Sequence, residues 1–355
     1  MTKQSLTIVF ICLFGLFING CDSGTQTTQN QDVVEIKWQS DGSAIFGFIQ
    51  AYASTINSTQ PSIAYNIARF NADGSLAQNY NTNGFASRPT DPNTGQVESF
   101  APAIYLSSDG STLVAQLEND LYRYNTKTNF LTKLQTLFHL IYASSDLKYV
   151  IGTPSPANQP IKTIQVYDIS VSPIRLVTHF DVSGATTSPG IWLNNGTFGI
   201  SCTDSIGDHI SIFDTASIGI PISVIDGAET QFHNTVFNPQ TNDLYVRNHA
   251  GKTTDYYVAK INLSSMTRTN LVNFSVDNFD ISSDEQILIY SASDSVNSTT
   301  NGTSIRARNL QTLKEQTLAT DNLRFIQLSP AQNKLAYISG TFSFNQIRVI
   351  PFSRP

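Results

Sequence analysis

The sequence predicts an all-β fold, a seven-bladed β-propeller of four-stranded antiparallel blades. Three observations carry that prediction: a hairpin motif recurs seven times after residue 33, an apolar column runs through its copies, and most copies lie one blade's length apart. Each copy reads as a short apolar strand, a polar turn that usually contains Ser-Asp or Gly, and a second apolar strand. The turn residues are Asp41, Asp109, Asp146, Asn195, Gln240, Asp284 and Ala331. Three positions before them stand Trp38, Leu106, Ala143, Trp192, Phe237, Ile281 and Leu328, all apolar and including both tryptophans of the chain. After the turns come return strands such as Ala44–Phe48, Leu113–Ala115, Phe198–Ile200 and Ile287–Tyr290. Third strands are expected at Asp120–Tyr124, Ile164–Asp168, His209–Phe213 and Tyr256–Ile261, and fourth strands at Arg175–Thr178, Leu271–Phe274 and Gln316–Leu318.

Consecutive turn residues lie 68, 37, 49, 45, 44 and 47 apart. All but the first interval suit a four-stranded blade of roughly 40–50 residues, whose open apolar faces are covered when blades stack around an axis. The long first interval holds Asn66-Ile-Ala-Arg-Phe-Asn-Ala-Asp-Gly-Ser-Leu76, expected as the outer hairpin of the first blade. An eighth blade centred on Asp73-Gly74 is the alternative. The final Gln346–Phe352 supplies only a third strand to the last unit, so Val33–Ile36 is expected to help close the ring.

The turns resemble the Ser-Pro-Asp-Gly turn of WD40-like repeats in TolB-type periplasmic propellers. The resemblance covers Val33 to Pro355 and is degenerate: Ser-Pro stands only at Ser329-Pro330, and Asp-Gly only at Asp41-Gly42 and Asp109-Gly110. Residues 66–85 locally resemble the delta-60 repeat of bacterial surface proteins.

Ahead of the repeats, Lys3 precedes an uncharged run from Leu6 to Ile18, the pattern of a secretory signal peptide. Ile18-Asn19-Gly20-Cys21 resembles the lipobox of bacterial lipoproteins. The resemblance implies cleavage before Cys21, diacylglycerol on its thiol and acylation of the new amino terminus. Two or three acyl chains anchor a protein far better than one. The organisation expected is thus a signal peptide (1–20), a lipidated flexible tether (21–32) without bulky apolar groups, and a propeller domain (33–355). The protein is expected in the bacterial cell envelope, exported and anchored to the membrane through Cys21, as a monomer.

The chain carries 21 Lys plus Arg against 27 Asp plus Glu, a formal charge of −6, and loss of the leader removes one further positive charge at Lys3. The charges form no blocks, so no basic surface for nucleic acid is visible. Of three cysteines, Cys12 leaves with the leader and Cys21 takes lipid, leaving Cys202 without a disulfide partner. Its setting, Gly199-Ile-Ser-Cys-Thr203, reads as a strand with a buried thiol.

Catalytic signatures are sparse. No Gly-x-Ser-x-Gly elbow occurs, which excludes a hydrolase domain of the prolyl-oligopeptidase type. The five histidines lack the spacing of a metal-ligand motif, and Asp91–Glu98 reads as a polar loop rather than a calcium loop. No cofactor is implied. One column suggests a site: seven positions before the turn residues stand Val34, Pro102, His139, Ser188, His233, Asp277 and Arg324. These are expected to begin the innermost strands, so that His139, Ser188, His233, Asp277 and Arg324 would ring one mouth of the central channel. The loops at Thr55–Pro61, Pro154–Pro160 and Ser293–Thr303 offer recognition surface. Since the fold brings no chemistry of its own, the function expected is a non-catalytic binding or scaffold module for a protein, peptide or glycan. The alternatives are a lactonase-like or lyase-like enzyme using the channel mouth, or an accessory subunit of an envelope assembly or transport complex.

Overall fold

The computed structural model describes residues 31–53, 62–80, 103–117, 120–135, 139–153, 163–182, 190–194, 196–204, 207–216, 221–226, 228–229, 235–249, 256–272, 274–293, 303–321, 323–341 and 344–355. Among them there is no helix. Strands follow one another as antiparallel neighbours, so each blade is a meander in chain order. Blade one comprises β1 (Gln31–Trp38), β2 (Ala44–Ala53), β3 (Ser62–Asn71) and β4 (Leu76–Tyr80). Blade two follows as β5 (Ala103–Leu106), β6 (Thr112–Leu117), β7 (Asp120–Asn125) and β8 (Phe130–Gln135). Blade three has β9 (His139–Ala143), β10 (Tyr149–Thr153), β11 (Thr163–Asp168) and β12 (Arg175–Asp181). Blade four has β13 (Ile191–Asn194), β14 (Thr197–Asp204), β15 (Gly207–Asp214) and β16 (Ser223–Asp226).

In blade five the inner position is shared by β17 (Ala228–Glu229) and β18 (Thr235–Asn238), both paired with β19 (Asp243–His249), before β20 (Tyr256–Asn262) and β21 (Thr267–Asn270). Blade six has β22 (Asn278–Ile281), β23 (Ile287–Ser293), β24 (Thr303–Asn309) and β25 (Glu315–Asp321). Blade seven has β26 (Leu323–Leu328), β27 (Lys334–Thr341) and β28 (Phe344–Pro351). The first strands of successive blades approach one another, which places them innermost around the axis.

Residues 66–80 form β3, β4 and their turn, so Asp73-Gly74 lies in the outer hairpin of blade one and the ring has seven blades, not eight. Two expected details shift. The fourth strand of blade five is Thr267–Asn270 rather than Leu271–Phe274, because the chain leaves the sheet to bury Val272 against blade six. The segment Val33–Ile36 belongs to β1, the inner strand of blade one. It closes the ring by packing, not by joining the last sheet.

Seven apolar clusters fill the seven spaces between neighbouring blades. Strand alternation makes this work, since successive side chains point to opposite sheet faces. In β2, Phe46 and Phe48 face blade two, whereas Ile45 and Ile49 face blade seven. A blade buried on both faces therefore needs apolar residues at consecutive positions of its central strands. Cys202 is buried in the cluster between blades three and four, beside Phe198 and Phe213.

The polar turns are built as the motif suggests. Asp109 accepts hydrogen bonds from Ser107 Oγ (2.7 Å) and Ser111 N (3.0 Å), while Gly110 N donates to Ser107 O (2.9 Å). Ser144 with Asp146 and Ser282 with Asp284 repeat the hydroxyl–carboxylate bond, each at 2.6 Å. The next residue adopts a left-handed backbone: Gly42, Gly110, Leu147, Gly196, Glu285 and Gln332 all have positive φ. In blade five the left-handed residue is Asn242, one position later than the alignment on Gln240 requires.

Candidate functional site

The inner strand of each blade has one edge paired with its own sheet and one edge facing the channel. Its unpaired backbone groups there need partners. Polar side chains from the preceding blade supply them on one side of the ring. Asp280 of β22 accepts Leu328 N of β26 at 2.7 Å, and Gln327 of β26 accepts Trp38 N of β1 at 3.1 Å through Oε1. Glu35 of β1 accepts Ile104 N of β5 at 3.0 Å. The indole N–H of Trp38 also donates to Gln327 O (3.2 Å), which ties both blades at that seam.

These side chains belong to positions that the seven-before-the-turn column did not sample. Four residues before the turn stand Lys37, Tyr105, Tyr142, Ile191, Val236, Asp280 and Gln327. The polar members come from blades six, seven and one. Blades two and three contribute Tyr105 and Tyr142, whose rings meet edge to face at 4.9 Å. Burial pushes Glu35 well above the ordinary carboxylate range, against the pull of Lys37 and the bond from Ile104 N. Burial likewise pushes Asp280 up to about 6, opposed by the bonds from Leu328 N and Ile281 N and by Lys37. Both phenols are raised as well, by burial first and by the charge of Glu35 among the further causes.

Above the polar sector, on the face carrying the inner-strand turns, a cleft of about 390 Å3 spans blades five, six and seven. It is lined by Phe237, Ile281 and Leu328 of the apolar column and by Val236, Asp280 and Gln327, their neighbours on the inner strands. Its walls are the three turns, which present Asn238 and Gln240, Ser282 and Ser283, and Ser329 and Gln332. Glu285 at the rim is held below its ordinary range although burial raises it, because it accepts bonds from Thr241, Lys260 and Asn238. Thr241 Oγ1 lies 2.6 Å from Glu285 Oε1, Asn238 Nδ2 2.5 Å from the same oxygen, and Lys260 Nζ 3.0 Å from Oε2. Lys260 also pairs with Asp243 at 2.5 Å. Lys260 is shared between two carboxylates, Asp243 and Glu285, so one negative charge stays at the rim beside the amides and hydroxyls of the turns.

The channel-mouth column falls at the beginning of inner strands where it can be placed. His139 is the first residue of β9 and pairs with Thr153. Asp277 is exposed, immediately precedes β22 and donates its N–H to Ser291 O (3.0 Å). Val34 and Arg324 are the extra residues at bulges of β1 and β26. Ser188, His233, and the side chains of His139 and Arg324 lie outside the described residues, as do residues 1–30 with Cys21 and the loops 55–61 and 154–160. In blade five Glu229 of β17 pairs with Arg247 of β19. Among the described residues, no three His, Cys, Asp or Glu side chains are grouped to hold a metal ion.

No family model matches the chain, and no curated protein matches its sequence. Solved structures share its fold at low identity. A manganese complex of oligogalacturonate lyase has a TM-score of 0.60 at 10% identity, covering 91% of this chain and 90% of that chain. The oligogalacturonate lyase of Vibrio parahaemolyticus gives 0.60 at 12% identity, with coverages of 92% and 94%. Hydrazine synthase of Kuenenia stuttgartiensis gives 0.58 at 13% identity, with 94% and 99% covered. At these identities the similarity is one of fold.

Proposed function

We propose that this protein is an exported, lipid-anchored propeller of the bacterial cell envelope that binds a peptide or glycan without transforming it. The observation that carries the reading is the cleft over blades five to seven. It combines apolar residues of the inner strands with the amides and hydroxyls of three turns and two carboxyl groups, Asp280 and Glu285, a composition suited to a ligand rich in hydrogen-bonding groups. The anchor rests on the leader and the Ile18–Cys21 motif. Two measurements test the halves separately. Metabolic labelling with a radioactive fatty acid is expected to mark the protein and to leave Cys21→Ala unmarked; label on that variant removes the anchor. Arrays of peptides and envelope glycans are expected to yield a ligand whose affinity drops at least tenfold in Ser283→Trp, with Lys127→Ala unaffected. Equal affinity in Ser283→Trp removes the cleft.

A second reading, an enzyme, is favoured by one observation. Asp280 sits where the cleft meets the channel with a pKa near 6, suited to proton transfer at neutral pH. Turnover of any ligand found on the arrays that Asp280→Asn abolishes, with binding preserved, would replace the binding module by this alternative. The fold likeness to oligogalacturonate lyases makes uronate-containing oligosaccharides sensible members of that panel.

A further inference from the structure

The side of the disc that carries the inner-strand turns also carries the outer hairpins, because the first and third connections of a meander fall on the same side. The two sets of turns are bonded to each other. Thr126 N donates to Ser111 O (3.0 Å), Leu263 N to Asn242 O (2.9 Å) and Leu310 N to Gln286 O (2.8 Å). They differ in what they show to solvent. Among the described residues no inner turn exposes a large apolar side chain, whereas the outer hairpin of each of the first six blades does. Leu76, Phe130, Val171, Ile222, Met266 and Leu313 stand there, one per blade in order, 42% to 66% exposed.

Folding does not ask for apolar groups at these places. An asparagine sets several of the hairpins. Asn125 Oδ1 accepts Lys127 N (3.0 Å) and Thr128 N (2.9 Å), Asn262 Oδ1 accepts Ser264 N (3.1 Å), and Asn309 Oδ1 accepts Gln311 N (3.0 Å). Four residues after it the backbone turns left-handed, at Asn129 in blade two but at Met266 (φ +54°) and Leu313 (φ +58°) in blades five and six. Glycine and asparagine suit that conformation, while Met and Leu do so poorly. At 44% and 62% exposed, these two also gain little from burial. An exposed Lys or Arg accompanies the apolar group in four blades: Lys127, Arg175, Arg268 and Lys314.

Equivalent hairpins of a ring lie at one radius and one level, so the six side chains mark out a plane. They are separate points around the circumference, whereas a protein partner docks on a contiguous patch. A flat surface with apolar depth beneath a charged layer meets all six at once, with Lys and Arg reaching its phosphates. We propose that the outer hairpins form an apolar crown through which this side of the disc rests on a lipid bilayer. Shallow side chains give reversible contact, so the crown orients the disc whatever tethers it. The cleft opens on the same side at smaller radius, where a ligand carried at the bilayer surface would meet it, a consequence that rests on the cleft reading above.

Fluorescence quenching by brominated lipid tests the crown. Leu76→Trp, Phe130→Trp and Leu313→Trp keep an apolar group on three different blades. Thr320→Trp, exposed on the same outer strand as Leu313 but about 20 Å along it, serves as the reference. With the full chain on vesicles of brominated phosphatidylcholine, the emission added by each of the first three is expected to fall at least twofold and that of Thr320→Trp to stay unchanged. Sedimentation with the vesicles is read alongside. Protein that sediments without this quenching, or with quenching at one blade alone, overturns the crown and leaves the anchor standing. Protein that does not sediment at all overturns the crown as well. Quenching and sedimentation that persist in Cys21→Ala support the crown without the anchor. Self-association in the absence of lipid that Phe130→Ser with Leu313→Ser abolishes would assign the surface to a second copy instead.

Discussion

Gly110 occupies a left-handed position (φ +66°), and a Cβ built on it would lie 2.7 Å from Gln39 Cδ of the neighbouring blade. The flexible end of Gln39 can turn aside, so the left-handed backbone is the larger cost there, a conformation that Leu147, Glu285 and Gln332 adopt in other turns. Gly110→Ala is therefore expected to cost about 1–2 kcal/mol, read as a lowered denaturation midpoint in urea. Asp280 makes a prediction in pH. Its carboxyl has an ordinary value of 3.8 and stands near 6 in the fold. Between those values the unfolded chain is ionised there while the folded chain keeps its proton, so stability falls as pH rises through the window and levels off above it. The two-unit shift sets a ceiling of about 3 kcal/mol. Asp280→Asn should flatten the fall of Tm between pH 4 and 7 in part only, because Glu35 is shifted the same way. An unchanged profile would mean that Asp280 is not held protonated in the fold. Asp41, Asp73 and Asp109, bonded by neighbouring serines and shifted down, have the opposite sign and act in the more acid range.

At the level of strands, hairpins were legible because both faces of a blade are buried. That leaves an apolar pair of strands around a turn whose geometry demands Ser, Asp and a left-handed residue. The column Trp38 to Leu328 has a structural meaning, since Phe237, Ile281 and Leu328 line the cleft. Blade five misaligned by one residue because its left-handed position is Asn242, and asparagine adopts that conformation readily enough to hide the insertion. The channel residues Glu35, Asp280 and Gln327 escaped notice because each is an isolated polar residue in an apolar strand. Their common role, bonding the backbone edge of the next blade, exists only once the ring is closed. Bulges at Val34 and Arg324 further shift the inner-strand register, so equal offsets from the turn do not reach equal depths in the channel. Gln327→Leu tests the edge bonds: it leaves Trp38 N–H without its acceptor at nearly constant volume and should cost about 1–3 kcal/mol. The same substitution at exposed Gln78 should lose less, and equal losses would deny the seam bond any special weight.

Across the whole molecule, six blade interfaces join neighbours in sequence, while the seventh joins Trp38 to Gln327 across 289 residues. Closing so long a loop costs entropy before its contacts form, so that interface is expected to assemble last. Ile338, buried in the cluster between blades one and seven, and Phe180, packed on Phe198 and Phe213 between blades three and four, sample the two cases. Ile338→Ala should destabilise by about 2–5 kcal/mol and Phe180→Ala by about 3–5 kcal/mol. The kinetics should differ more than the stabilities. A contact absent from the transition state changes unfolding alone, so Ile338→Ala is expected to unfold faster and refold at the parental rate. Phe180→Ala, within a local hairpin stack, should slow refolding as well. Stopped-flow refolding from urea separates these outcomes. Slowed refolding of Ile338→Ala would place ring closure before the local blade stacks rather than after them.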